Sequence, residues 1–147
     1  MKIIEIDEKE INGLSIRTNN ANEMNLEKAK IGNLWQSLND KVVIDYKNGN
    51  REFGVYYNYE SDANGDFSVL AGSDQSDDKN SLDKVSISAG KYLVFEAKGE
   101  IPKVVIDTWG EIWDYFSKED VEYERLYTTD FEYYKNGSEV EVCIAVK

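Results

Sequence analysis

The chain has 147 residues and a formal net charge of −12, because 29 acidic residues outnumber 17 basic ones. This acidic excess argues against direct binding of nucleic acid and against attraction to an anionic membrane. The sequence has no histidine and a single cysteine, Cys143, which excludes histidine-based catalysis, histidine metal sites and an intrachain disulfide. We therefore expect no metal and no cofactor. The sequence shows neither a signal-peptide pattern nor a membrane-spanning apolar run, which favours the cytoplasm.

The first half is predicted to contain a strand, a helix and a hairpin. Short apolar runs predict a strand over 11–18, and strands over 53–60 and 66–71 flank Asn64-Gly65, a dipeptide typical of a type I′ turn. Between them, an apolar stripe at helical spacing predicts an amphipathic helix that begins near Asn25 as its N-cap and fades by Asp40. This stripe consists of Ile31, Leu34, Trp35 and Leu38.

A polar, acidic stretch over 72–83 has no periodicity and is predicted to be a solvated linker. Beyond it the same order of elements returns: strands over 84–88 and 91–98, a helix, and strands over 130–135 and 139–146 around Asn136-Gly137. Pro102 suits the first turn of this second helix, where a missing N–H costs nothing. The apolar face of the helix is formed by Val105, Trp109, Ile112, Trp113 and Phe116.

The two halves are similar in sequence as well as in order. The segment from Gly32 to Leu38 matches the segment from Gly110 to Phe116, 78 positions later. We predict a single domain of the α+β class, built from two modules over about 1–75 and about 84–147. The modules would be related by a pseudo-twofold axis and would share one antiparallel sheet with two helices. The alternative is that both helices carry this pattern by chance.

Taken in order, these segments resemble the GyrI-like family of small-molecule-binding domains, whose fold also forms the effector-binding domains of MerR-type and AraC-type multidrug-responsive regulators. The resemblance covers nearly the whole chain. The segments that carry it are Leu34-Trp35, Phe53-Gly54-Val55-Tyr56, Asp66-Phe67, Ser88 through Phe95, Gly99, Trp109 through Trp113, Asp130 through Tyr134, and Val142 through Lys147.

The resemblance implies a bacterial effector-binding module, with a pocket between the sheet and the two helices. The family's regulators carry a DNA-binding segment ahead of this domain, whereas this chain starts at its first predicted strand. We therefore expect a stand-alone form, with a separate regulator or a topoisomerase as a possible protein partner.

Glu132 is the first candidate ligand-binding residue. Its position in a half-buried strand, read alone, favours a side chain that faces water. The family resemblance implies instead that this glutamate projects into the pocket and meets a cationic or polar ligand. A carboxylate in an aromatic, low-dielectric cavity would select a lipophilic cation.

The aromatic residues are the second set of candidates, because rings offer contact area and cation–π attraction to a flat or cationic ligand. Trp109 is favoured over Trp113 and Trp35, for which plain core packing is an equal alternative. If 54–58 overlays 130–134, Tyr56 takes the position of Glu132 and faces the same side. The full set of ligand-binding candidates is Glu132, Tyr56, Trp109, Trp35, Trp113, Tyr134 and, most weakly, Tyr92.

The leading hypothesis from the sequence is thus the binding of an amphipathic, cationic or aromatic small molecule. A second hypothesis is hydrolysis of reactive cyclopropane-type electrophiles, as in some GyrI-like proteins, with Glu132 and Tyr56 as the acid–base pair. A third is inhibition of DNA gyrase, in which an acidic surface would mimic DNA.

Overall fold

A computed structural model describes residues 1–77, 79 and 81–147, so that Asp78 and Asn80 of the predicted linker lie outside the described residues. The helices are α1 Asn20–Glu23, α2 Ile31–Lys41 and α3 Lys103–Phe116, with a short 3-10 turn at Tyr46–Asn48. The strands are β1 Lys2–Ile6, β2 Lys9–Thr18, β3 Glu52–Tyr57, β4 Phe67–Ser73, β5 Asp83–Ile87, β6 Gly90–Lys98, β7 Thr129–Asn136 and β8 Glu139–Ala145.

All eight strands form one antiparallel sheet in the order β1-β6-β8-β7-β3-β4-β2-β5. The hairpin strands of the two halves, β3 and β7, pair at the centre. The edge strands are exchanged: β1 extends the second half by pairing with β6, and β5 extends the first half by pairing with β2. The α+β prediction of one shared antiparallel sheet is confirmed.

The sheet curls, and each of its faces buries a different core. On the inner face, residues from both edges and from the centre pack together, including Ile6 of β1, Ile87 of β5 and Phe131 of β7. The outer face carries the two main helices, with α2 on β2 and β4 and α3 on β6 and β8. The helices therefore cover the flanks of the outer face, and the central pair β3 and β7 lies between them.

The first predicted helix forms, but its predicted start at Asn25 is wrong. The helix begins at Ile31, and the residues before it form α1 and turns. The carboxylate of Glu23 accepts hydrogen bonds from the backbone N–H groups of Lys30 and Ile31, at 3.1–3.2 Å. This distant side chain thus satisfies two backbone donors at the helix N-terminus, so a local N-cap at Asn25 is not needed.

Both predicted hairpins form, but with different turns. β3 ends at Tyr57 and β4 starts at Phe67, so a nine-residue loop replaces the tight Asn64-Gly65 turn, starting at Asn58 with a φ of 55°. In the second hairpin the closing pair is Asn136 and Glu139, after a register shift in β7. Its two loop residues are therefore one position later than predicted.

The second predicted helix is confirmed, with Pro102 directly before its first residue. It is the longest helix of the described chain at 14 residues, and none there has the length and apolarity that crossing a bilayer needs. Of the predicted linker, Asp83 belongs to β5, and the last residues of β4 extend to Ser73.

Candidate functional site

A cavity of about 1050 Å³ lies on the outer face of the sheet, between α2 and α3. Its floor is the central strand pair, which neither helix covers. Six of the seven candidate residues predicted from the sequence line this cavity, three from the strands and three from the helices. They are Tyr56, Glu132 and Tyr134 on β3 and β7, and Trp35, Trp109 and Trp113 on α2 and α3.

Glu132 is the centre of a buried hydrogen-bond network. Only 2% of the Glu132 surface is exposed. Oε2 accepts hydrogen bonds from the Tyr56 hydroxyl at 2.8 Å and from the Trp109 indole N–H at 2.7 Å. Oε1 accepts one from the Tyr134 hydroxyl at 2.8 Å. Two strands and one helix therefore fix the position of this carboxylate, and all three of its donors are neutral.

No cation neutralises Glu132 within the described residues, since none of the ion pairs there includes it. Burial raises the pKa of the Glu132 carboxyl, and the hydrogen bonds from Trp109, Tyr134 and Tyr56 oppose that rise. Burial and the neighbouring carboxylate also raise the pKa of both tyrosines well above the ordinary value. The tyrosines therefore stay protonated and act as donors at neutral pH.

Gly54 makes room for the carboxylate, although it was not among the site residues predicted from the sequence. It pairs with Glu132 across β3 and β7. A Cβ atom at this position would lie 2.7 Å from Oε1 of Glu132 and 3.1 Å from Cζ2 of Trp35. A glycine inside a strand often marks such a close approach, and this was the available signal.

Aromatic rings form the walls around the network. Trp35 packs edge-on against Tyr134 at a centroid distance of 5.1 Å, and Tyr56 packs edge-on against Trp109 at 5.0 Å. Trp113 lies further out, with 37% of its surface exposed. Three other exposed side chains also line the cavity, which gives its mouth an apolar rim. They are Met24, Tyr46 and Ile106.

The seventh candidate, Tyr92, lies outside the cavity. It is buried in the inner core, where its ring packs edge-on against Phe131 at 5.2 Å. Its hydroxyl donates to the carbonyl of Ser88 and shares a hydrogen bond with Thr129. The reason is strand alternation: Leu93 of β6 packs under α3, so the preceding side chain points to the opposite face of the sheet.

A second buried carboxylate lies two residues before Glu132 on the same face of β7. Asp130 is fully buried and accepts hydrogen bonds from the Tyr59 hydroxyl at 2.5 Å, from Arg125 Nη2 at 2.7 Å and from the Ala145 N–H at 2.9 Å. Tyr59 and Arg125 line the cavity as well. No sequence pattern indicated this cluster, because Arg125 lies in a loop without periodicity.

The described residues contain no grouping of acidic or cysteine side chains that is suited to a metal ion. The one cysteine, Cys143, is buried in the inner core, and burial raises the pKa of its thiol well above the ordinary value. The chemistry that the cavity offers is therefore hydrogen bonding, ring contact and, among the described residues that line it, one buried carboxylate without a cationic partner.

Comparison with known proteins agrees with this architecture. A protein family described as "Cass2: Integron-associated effector binding protein" matches residues 2–146. The chain belongs to the Cass2 family. A relative of this Cass2-family protein is YobU of Bacillus subtilis (strain 168), which is provisionally named as a transcriptional regulator. The two are 30% identical over 158 residues, covering 99% of this chain and 96% of YobU.

Solved structures show the same fold. The integron cassette protein VCH_CASS2 from the mobile metagenome of Vibrio cholerae matches with a TM-score of 0.89 and 44% identity, over 99% of this chain and 95% of that one. SAV2435, solved bound to tetraphenylphosphonium, matches with a TM-score of 0.72 and 20% identity, over 99% and 93%. The GyrI-like resemblance predicted from the sequence is confirmed.

Proposed function

We propose that this Cass2-family protein binds an amphipathic small molecule with a delocalised positive charge, and that Glu132 is the anchor for that charge. The observation that carries the proposal is a buried carboxylate held by three neutral donors inside a cavity of about 1050 Å³. A buried charge without a counter-charge is costly to a folded protein. A cationic ligand would supply the missing counter-charge.

The surroundings of Glu132 favour a bulky, weakly hydrated cation over a small one. Trp35, Trp109 and Tyr134 present rings to the cavity, and rings attract cations through their faces. A cation whose charge is spread over apolar groups loses little hydration when it enters such a site. The protein's own side chains already bury the carboxylate and donate its hydrogen bonds, so binding requires little further desolvation of the carboxylate.

The comparisons support this proposal in two ways. The family is described as effector-binding, and YobU is provisionally named as a transcriptional regulator. SAV2435, which shares the fold, was solved bound to tetraphenylphosphonium, a lipophilic cation. We infer that this chain is the effector-binding part of a regulatory response. The hydrolase and gyrase-inhibitor alternatives stay untested predictions.

The test uses two probes of the same shape and opposite charge. Tetraphenylphosphonium and tetraphenylborate each carry four phenyl groups around one central atom, so they fill the same space. We expect calorimetry to show binding of the phosphonium and little binding of the borate. Equal binding of both ions would mean that shape and apolar contact decide affinity, and no binding of either would refute the proposal.

A further inference from the structure

The cavity has a second polar end, at Arg125. This arginine lines the cavity, and its side chain is only 6% exposed. A guanidinium carries five N–H donors. Among the described residues, one hydrogen bond uses them, from Nη2 to Asp130, and the buried Nε has no partner there. Buried donors normally have hydrogen-bond partners, so the unpartnered donors of Arg125 require an explanation.

The neighbours of Arg125 hold it in place without using its remaining donors. Asp130 is fully buried and also accepts bonds from Tyr59 and Ala145, so it fixes one edge of the guanidinium. The ring of Tyr127 lies 4.4 Å from the guanidinium carbon. This ring contact stabilises the charge but accepts no conventional hydrogen bond.

The other two cations that line the cavity differ from Arg125. Arg51 donates to the backbone carbonyls of Tyr46, Asn50 and Lys135, so its donors are distributed among protein acceptors. Lys135 pairs with Glu141 at 3.3 Å on the sheet. Arg125 is thus the cavity-lining cation with the most unused donors among the described residues.

Building on the proposed cation site, we propose that Arg125 forms a second subsite, which binds a carboxylate or similar anionic oxygen group on the same ligand. Asp130 and Glu132 are two residues apart on one strand face, so their Cα atoms are about 7 Å apart. The preferred ligand is then a zwitterion, with a bulky cation at Glu132 and an anionic group on a short flexible arm. The mixed charge of the cavity matches such a molecule.

The probes are butyltriphenylphosphonium and (4-carboxybutyl)triphenylphosphonium, which differ by the terminal carboxylate. Calorimetry is carried out on the wild type and on Arg125→Lys, which keeps the charge but loses the fork of donors. Arg51→Lys is the matched control on the same cavity wall. We expect the carboxylate to tighten wild-type binding by about tenfold. This advantage should disappear in Arg125→Lys and persist in Arg51→Lys.

A readout on the wild type makes the test independent of how the variants fold. The chain has three arginines, so their side-chain Nε–H signals can be resolved by NMR. We expect the carboxylate probe to shift the signal of Arg125, and the butyl probe to leave it in place. A shift at Arg51 instead, or equal affinity for the two probes, would overturn the subsite and leave the cation site standing. If neither probe binds, the proposed function is refuted, and the subsite that rests on it is refuted as well.

Discussion

Replacing Glu132 by glutamine removes the charge and keeps the shape of the side chain. The amide oxygen can take the place of Oε2, where it accepts from Tyr56 and Trp109. The amide nitrogen then takes the place of Oε1 and donates to the Tyr134 hydroxyl, which can reverse its own bond. Every polar group of the network keeps a partner, so the variant isolates the effect of the charge.

The size of the effect follows from the geometry of a tetraphenyl cation. Its phenyl groups hold the central charge about 6 Å from the nearest oxygen, and at an effective dielectric constant of about 20 the attraction is about 3 kcal/mol. Loss of this attraction weakens Kd by about a hundredfold. Desolvation of Glu132 adds little cost on binding, because the protein itself buries the carboxylate.

The assay is titration calorimetry of tetraphenylphosphonium with the wild type, Glu132→Gln and Glu52→Gln. Glu52 also lines the cavity but is only half-buried, so its variant should bind within a few-fold of the wild type. The ligand-free Glu132→Gln variant should be at least as heat-stable as the wild type at neutral pH. Burial raises the pKa of this carboxyl in the folded state, so its ionised form opposes folding above the unfolded pKa. Equal cation affinity in all three proteins would refute the charge argument.

The remaining predictions concern the pH dependence of binding, the space beside Gly54 and the inner core. Cation affinity should fall as the pH is lowered, starting at a higher pH than an ordinary glutamate would give, because cation binding needs ionised Glu132 and burial raises the pKa of this carboxyl. An affinity that does not change with pH would exclude Glu132 as the anchor. Gly54→Ala should displace the carboxylate or Trp35, weaken cation binding and lower stability by about 1–3 kcal/mol. Gly110→Ala is its control: a Cβ there meets no atom of the described residues within 4 Å, so binding should not change. Tyr92→Phe should lower the free energy of unfolding by about 1 kcal/mol and leave the Kd for the cation unchanged. Weaker cation binding by this variant would show that Tyr92 does contribute to the site.

Periodicity in the sequence was enough to predict the strands of the sheet and both main helices, whereas the prediction that Glu132 faces the pocket came from the family resemblance. Side chains alternate along a strand, so once the two strands are aligned, Tyr56 and Glu132 are predicted to face the same side of the sheet. The same rule should have excluded Tyr92, but its strand has no polar side to mark the outer face. Four successive residues of β6, from Tyr92 to Phe95, are all buried, so burial does not alternate along this part of the strand.

The errors at the ends of elements come from interactions over long sequence distances. The N-terminus of α2 is satisfied by Glu23, seven and eight residues before the donors, so local capping rules placed the start too early. The exchange of β1 and β5 between the halves depends on how the sheet curls, which no local pattern encodes. Arg125 joins Asp130 through a loop, and such loop contacts have no spacing rule.

The central claim is that a cation occupies this cavity beside Glu132, and the position of a bound cation tests it most directly. Tetraphenylarsonium has the shape of the phosphonium, and its arsenic atom scatters anomalously, so a crystal of the complex locates the charge. We predict one strong arsenic peak inside the cavity, about 6 Å from the Glu132 carboxylate. An arsenic peak elsewhere on the acidic surface of the protein, with the cavity empty at saturating ligand, would contradict the account.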